Sequence, residues 1–216
     1  MGIKNHTIYL LGDTPHKEVV HLPLFEIFYM PFELDITPFD AIIFTSKNSV
    51  KALKLQQCDW KKKASYAIAE ATGKAIVDAG GNLVYTAQNA YGDAFAKEII
   101  PLLKDQYVFF PRAKEVVSPV FDILHHAGIK IVQEIVYENH CKTYQKRDAP
   151  VQDAILIFTS PSTVKCFENN FAWDKSYTLI AIGTKTADAL PSDFDIFVPK
   201  KQTIEACILL AKQIRS

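Results

Sequence analysis

Short apolar runs recur along this chain: Thr7 to Leu11, Glu26 to Met30, Ala41 to Thr45, Ser65 to Ala69, Asn82 to Tyr85, Tyr107 to Phe110, Lys130 to Tyr137, Ala154 to Thr159, Thr178 to Ile182 and Ile196 to Val198. Several are apolar throughout and alternate with helix-like stretches, the pattern of parallel strands covered by helices on both faces. Gly80-Gly81 and Gly128 each stand just before a strand, where a helix C-terminus takes a residue that tolerates positive φ. Polar connections at Leu34 to Phe39 and Asn139 to Gln152 divide the runs into larger pieces. Ten strands over two such connections predict two five-stranded sheets.

The runs are also repeated. Residues 41–53, AIIFTSKNSVKAL, overlie residues 155–167, ILIFTSPSTVKCF, at an offset of 114 (155 minus 41), with Ile43, Phe44, Thr45, Ser46, Val50 and Lys51 recurring as Ile157, Phe158, Thr159, Ser160, Val164 and Lys165. The same offset pairs Ala67, Ile68, Thr72, Ala75 and Val84 with Ala181, Ile182, Thr186, Ala189 and Val198. A chance match does not hold its register that long. A fainter repeat joins KEVV at Lys17 to Val20 with KEVV at Lys114 to Val117, and Glu26, Ile27 and Tyr29 with Glu134, Ile135 and Tyr137. The chain therefore reads as blocks of about residues 6–32, 40–104, 106–138 and 153–216, each burying its strands against another block.

Composition narrows the function classes. The chain has 216 residues, and its 49% hydrophobic content is ample for packed cores. Lys plus Arg and Asp plus Glu both number 24, so no net field attracts nucleic acid or an anionic membrane, and any anion site is local. Cys58, Cys141, Cys166 and Cys207 are widely spaced without a CxxC, which reads as reduced, buried thiols. No apolar run spans a membrane and MGIKNHTIYL lacks a signal-peptide pattern, so a cytoplasmic protein is expected. Eight glycines leave none for GxGxxG, GxxxxGK[ST] or GxSxG. His125-His126 point to different helix faces, and His16 and His21 lack nearby thiols, so no metal site is expected.

The chemistry concentrates at strand-to-helix junctions. FTSKNSV and FTSPSTV place hydroxyl or amide side chains where a helix begins, with Ser160 as N-cap and Pro161 as first helical residue. Capping alone accounts for a serine there. The functional alternative is that free N–H groups and the positive end of the helix dipole face a crevice at the carboxyl ends of the strands, where α/β sheets bind anions. AIAEAT at Ala67 to Thr72 and AIGTKT at Ala181 to Thr186 repeat the form. Four such helix starts suit a ligand with several carboxylates.

With the FTS at Phe44 to Ser46, the FTSPS at Phe158 to Ser162, the AIGxxTA at Ala181 to Ala187 and the strand ending Val136-Tyr137, the chain resembles the uroporphyrinogen-III synthases over nearly its whole length. The resemblance implies two flavodoxin-like α/β domains, each a five-stranded parallel sheet flanked by helices, joined by two linkers, with the active site in the cleft between them. Residues 1–33 with 150–216 would form one domain, residues 40–138 the inserted other, and 34–39 and 139–149 the linkers. The implied activity is closure of the linear tetrapyrrole hydroxymethylbilane to uroporphyrinogen III with inversion of the D ring and loss of water, a lyase reaction of haem biosynthesis that needs no cofactor and no metal. A monomer is implied, with transient contact to hydroxymethylbilane synthase as the one protein partner.

The resemblance assigns Tyr137 as the proton donor or the partner that orients the departing water, and a neutral phenol is an acid at physiological pH without tuning. Tyr29, its counterpart in the repeat, is expected to be structural. Substrate binding falls to Ser46, Lys47, Asn48, Thr72, Arg112, Ser160, Ser162, Gly183, Thr184, Lys185 and Thr186, largely through backbone donors, with Lys114 beside Arg112. The chain departs from its relatives at Lys185, where a threonine is common, at Ala69, where glycine is frequent, and at Leu11-Gly12-Asp13, where many carry an arginine. Asp13 is compatible with an anionic ligand if it turns away or caps the next helix. The competing reading is a non-catalytic two-lobed binding protein for a polycarboxylate metabolite.

Overall fold

The computed structural model describes residues 6–88, 91–115 and 118–215, so the N-terminal MGIKN and Val116-Val117 of the second KEVV lie outside the described residues. The strands are β1 (Ile8–Leu10), β2 (Val20–His21), β3 (Phe25–Tyr29), β4 (Ala41–Phe44), β5 (Ala64–Ala67), β6 (Asn82–Thr86), β7 (Tyr107–Ala113), β8 (Lys130–Cys141), β9 (Ile155–Phe158), β10 (Thr178–Ala181) and β11 (Ile196–Phe197). Between them run α1 (Lys47–Leu55), α2 (Glu70–Asp78), α3 (Gly92–Ile99), α4 (Val120–His126), α5 (Pro161–Glu168), α6 (Thr184–Ala187) and α7 (Ile204–Arg215). Contacts within the chain gather it into two compact units, Met1–Glu26 with His140–Ser216, and Ile27–Asn139.

The first unit carries a sheet in the order β11-β10-β9-β1-β2, every pairing parallel. In the second the order is β3-β8-β7-β4-β5-β6, six strands where the apolar runs predicted five. The additional strand is β3. Met30 N–H donates to the Val136 carbonyl and Lys142 N–H to the Leu24 carbonyl, both at 2.9 Å, so residue numbers fall on one strand as they rise on the other. The pairing of β3 with β8 is therefore antiparallel, against the all-parallel expectation. Its physical basis is the length of β8, whose 12 residues continue past its apolar run and offer a free edge. The first sheet is completed instead by β2, two residues too short and too exposed to register as an apolar run.

The repeated runs occupy equivalent places. All four residues of β4 and all four of β9 are buried, and each strand lies inside its sheet with a helix starting three residues after it ends. Full burial on both faces is what an unalternating apolar run demands. Gly80, after α2, and Gly128, after α4, have φ of 78° and 81°, the left-handed turn that an L side chain resists and glycine accepts.

The cysteines correct the expectation of four thiols. Cys141, the last residue of β8, is joined by a disulfide to Cys166 in α5, with Cα atoms 5.2 Å apart. Asn170 reinforces the junction, its Nδ2 donating to the Lys142 and Cys166 carbonyls at 2.8 and 2.7 Å and its Oδ1 accepting from Tyr144 N–H at 2.7 Å. A separation of 25 residues carries no motif, so only the packing of α5 on the end of β8 brings this pair together. Cys58 and Cys207 remain thiols, and burial pushes Cys207 up to about 12. No helix among the described residues is long and apolar enough to cross a membrane.

Candidate functional site

In the unit spanning residues 27–139, β4 delivers its FTS segment directly into α1. Ser46 is extended, with φ of −158°, and caps the helix by accepting Asn48 N–H on Oγ at 3.1 Å and Ser49 N–H on its carbonyl at 3.1 Å. Ser49, fully buried, donates from Oγ to the Pro111 carbonyl at 2.8 Å and so pins the helix start to β7. Lys47 and Asn48 are half-exposed in the first turn. Capping thus occupies the Ser46 hydroxyl.

The second junction of this unit is less hospitable to an anion. Ala69 caps α2 with no side-chain hydrogen bond, and Glu70 puts a carboxylate in the first turn, at the positive end of the dipole. Thr72 is only 5% exposed and its N–H returns to the Ala69 carbonyl at 3.0 Å, so it belongs to the turn.

Tyr137 owes its direction to a bulge. Arg112 of β7 pairs with Ile135, yet Ala113 pairs with Tyr137, leaving Val136 as an extra residue in β8. Without it, Tyr137 would point to the opposite sheet face from Val132 and would leave the cluster it now shares with Phe44, Val50, Trp60 and Phe109. The ring is 7% exposed. Stepping one residue from the Met30–Val136 hydrogen bond brings Tyr29 of β3 opposite Tyr137 as a non-hydrogen-bonded pair, the closer of the two cross-strand arrangements. Tyr29 packs against the same cluster, and the Lys51 ammonium of α1 lies 5.1 Å from its ring centroid. Sequence reasoning missed this seating, although Lys51 was visible as one of the repeated residues.

Arg112 is largely committed to the protein. Its Nε donates to Gln133 Oε1 at 2.8 Å and one terminal nitrogen to the Ala113 and Lys114 carbonyls at 2.7 and 3.0 Å. It borders a hollow of about 280 Å³ with Lys114, Ser118 and Gln133. Lys114 bonds Glu138 at 2.9 Å, and that carboxylate holds its ammonium above the usual lysine range.

In the other unit, β9 leads to α5 as the sequence predicts, with Ser160 as N-cap and Pro161 first in the helix. Ser160 Oγ accepts Thr163 N–H at 3.3 Å while Thr163 Oγ1 accepts Ser160 N–H at 3.1 Å, a reciprocal capping box. Ser162 stays half-exposed on the first turn. The fourth junction differs from expectation. From Gly183 the chain makes only the four residues of α6 before Pro191, which resists continuation of the helix. Thr184 and Lys185 are exposed, whereas Thr186 is 3% exposed and returns its N–H to the Gly183 carbonyl at 3.1 Å. Thr72 and Thr186, equivalent in the repeat, therefore share one buried role. No helix comes after β1 before the next strand among the described residues, so Asp13 caps none; its Oδ1 accepts from Thr14 Oγ1 at 3.0 Å. Both units thus direct capped helix starts and hydroxyls to the carboxyl ends of their strands.

A family model described as "Uroporphyrinogen-III synthase HemD" matches residues 17–208. Among solved structures, the chain is similar to uroporphyrinogen-III synthetase from Helicobacter pylori, at 34% identity and a TM-score of 0.83, over 97% of this chain and 99% of that one. It also shares its fold with a mutant uroporphyrinogen III synthase from Thermus thermophilus, at 14% identity and a TM-score of 0.60, over 96% and 98% of the two chains. No curated protein matches by sequence.

Proposed function

This chain belongs to the uroporphyrinogen-III synthase family, and we propose on that premise that it closes hydroxymethylbilane to uroporphyrinogen III as a cyclising lyase with Tyr137 as the proton donor. The observation that carries the activity is the match to the Helicobacter pylori synthetase over 97% of this chain. The terminal hydroxyl of the bilane leaves as water, and the A ring becomes an electrophilic azafulvene. The substituted carbon of the D ring attacks it, the spiro intermediate fragments, and the ring recloses with D inverted. Departure of hydroxide is assisted by a proton, which the neutral phenol of Tyr137 supplies and recovers when the last ring loses its proton.

Support for Tyr137 comes from the bulge that turns it onto the face shared with α1. A ring fixed by packing is pre-organised for transfer. The acetate and propionate groups of the bilane are bound by the first turns of α1 and α5, with Lys47, Asn48 and Ser162 presenting polar groups there and Gly183, Thr184 and Lys185 adding contacts from the fourth junction. Because Ser46, Thr72, Ser160 and Thr186 are spent on the turns themselves, their part is to hold backbone donors in place. Arg112 keeps its neighbouring loop in shape more than it reaches for a ligand. The test supplies freshly made bilane and resolves the product isomers. The type III isomer is expected from the wild type, and Tyr137→Phe should form it at least tenfold more slowly with an unchanged circular dichroism spectrum; type I alone, at the spontaneous rate, from the wild type would overturn the reading.

A further inference from the structure

Lys51 is exposed on α1, one turn after Lys47, and its ammonium lies over the Tyr29 ring at 5.1 Å. Among the described residues it meets no carboxylate. The reason it sits there is local: Val50 and Leu53 bury themselves in the cluster that also holds Tyr137, which leaves Lys51 at the margin of that face, over the strand that carries Tyr29. An ammonium on an aromatic ring loses some conformational freedom while its charge stays available. Opposite Tyr29 on β8 stands Tyr137. The chain thus presents a cation without an acidic partner beside the proposed proton donor, in a protein whose substrate carries a carboxylate on every side arm.

We propose that Lys51, seated on Tyr29, is a substrate-binding residue that holds one carboxylate of the linear tetrapyrrole next to Tyr137. The assignment rests on the synthase reading and deepens it. Tyr29 is then the aromatic seat of the cation, a positioning residue, where the internal repeat alone casts it as structural. The salt bridge so formed has an exposed ammonium, so it acts on binding, and it weakens with ionic strength.

The test is steady-state kinetics with freshly made bilane at low and high salt, together with the isomer ratio of the product. Lys51→Met should raise KM about fivefold, the upper end of what an exposed ion pair contributes, and should leave kcat within about twofold. Lys51→Arg should restore KM, since a guanidinium also stacks on a ring and pairs with a carboxylate. Tyr29→Leu, which removes the aromatic seat, should reproduce Lys51→Met and lose the salt dependence of KM. A wild-type KM in Lys51→Met, with type III product still formed, would overturn the role of Lys51 and leave the synthase reading intact. A fall in kcat with KM unchanged would equally exclude a binding role. Absence of type III product from the wild type would remove both.

Discussion

Opening the Cys141–Cys166 disulfide should cost the unit that contains it about 3.5 kcal/mol. The bridge closes a loop of 25 residues, and the entropy withheld from the unfolded chain by a loop of that length gives this figure at room temperature. With a urea dependence of about 2 kcal/mol/M, the midpoint should fall by roughly 1.5–2 M. Trp173 is a suitable reporter, because its ring lies 4.6 Å from that of Phe167, the neighbour of Cys166 on α5. Urea titrations followed by tryptophan emission would compare oxidised protein, protein in excess reductant, and the Cys141→Ser/Cys166→Ser variant. Reduced and variant protein should agree, since both lack the constraint. Thiol counting in denaturant without reductant should find Cys58 and Cys207 alone. Coincident midpoints for oxidised and reduced protein, or four titratable thiols in the oxidised sample, would refute the reasoning.

The caps and the buried thiol lead to two more expected outcomes. Ser160→Ala removes one half of the reciprocal cap on α5 and should lower stability by about 1 kcal/mol, while Ser162→Ala should stay within about 0.5 kcal/mol; equal urea midpoints for the two variants would contradict the capping geometry. Cys207 is held neutral up to about 12 in the fold against 9.0 in the free thiol, so its contribution to stability is complete below pH 9 and is lost as pH rises from there toward 12, because the unfolded chain ionises first. The gap between wild type and Cys207→Ala in urea midpoint should therefore narrow between about pH 8 and about pH 10.5, and a gap independent of pH would refute it.

Legibility in the sequence tracked the range over which each feature is determined. The β4 and β9 runs, the Ser160-Pro161 helix start and the glycine turns after α2 and α4 are local, and each has a residue type that admits few alternatives. The parallel α/β class came from those runs. The sixth strand did not, because β3 looks like any other five-residue run and its partner is decided by the spare length of β8. β2 has too little apolar surface to be seen at all. The bulge at Val136 and the Cys141–Cys166 bridge depend on register and packing between distant segments, which composition does not encode. At the junctions, sequence equated four helix starts; the structure separates them by their neighbours, Glu70 in the first turn of one and Pro191 beyond the end of another.

The place of β1 in its sheet has a consequence for how the protein is made. Ile8 to Leu10 lie between β2 and β9, and Ile8 pairs with Ile155, which the ribosome adds 147 residues later (155 minus 8). At the usual elongation rates of about 5–20 residues per second, that partner is roughly 7–30 s away. Residues 27–139 meanwhile emerge as one uninterrupted stretch and can complete their own core first. A largely buried strand of the folded molecule thus spends that interval without β9 on one side, as a sticky apolar edge that chaperones or other nascent chains can find. The pace of translation across the inserted segment, more than any contact in the folded state, sets how long that exposure lasts.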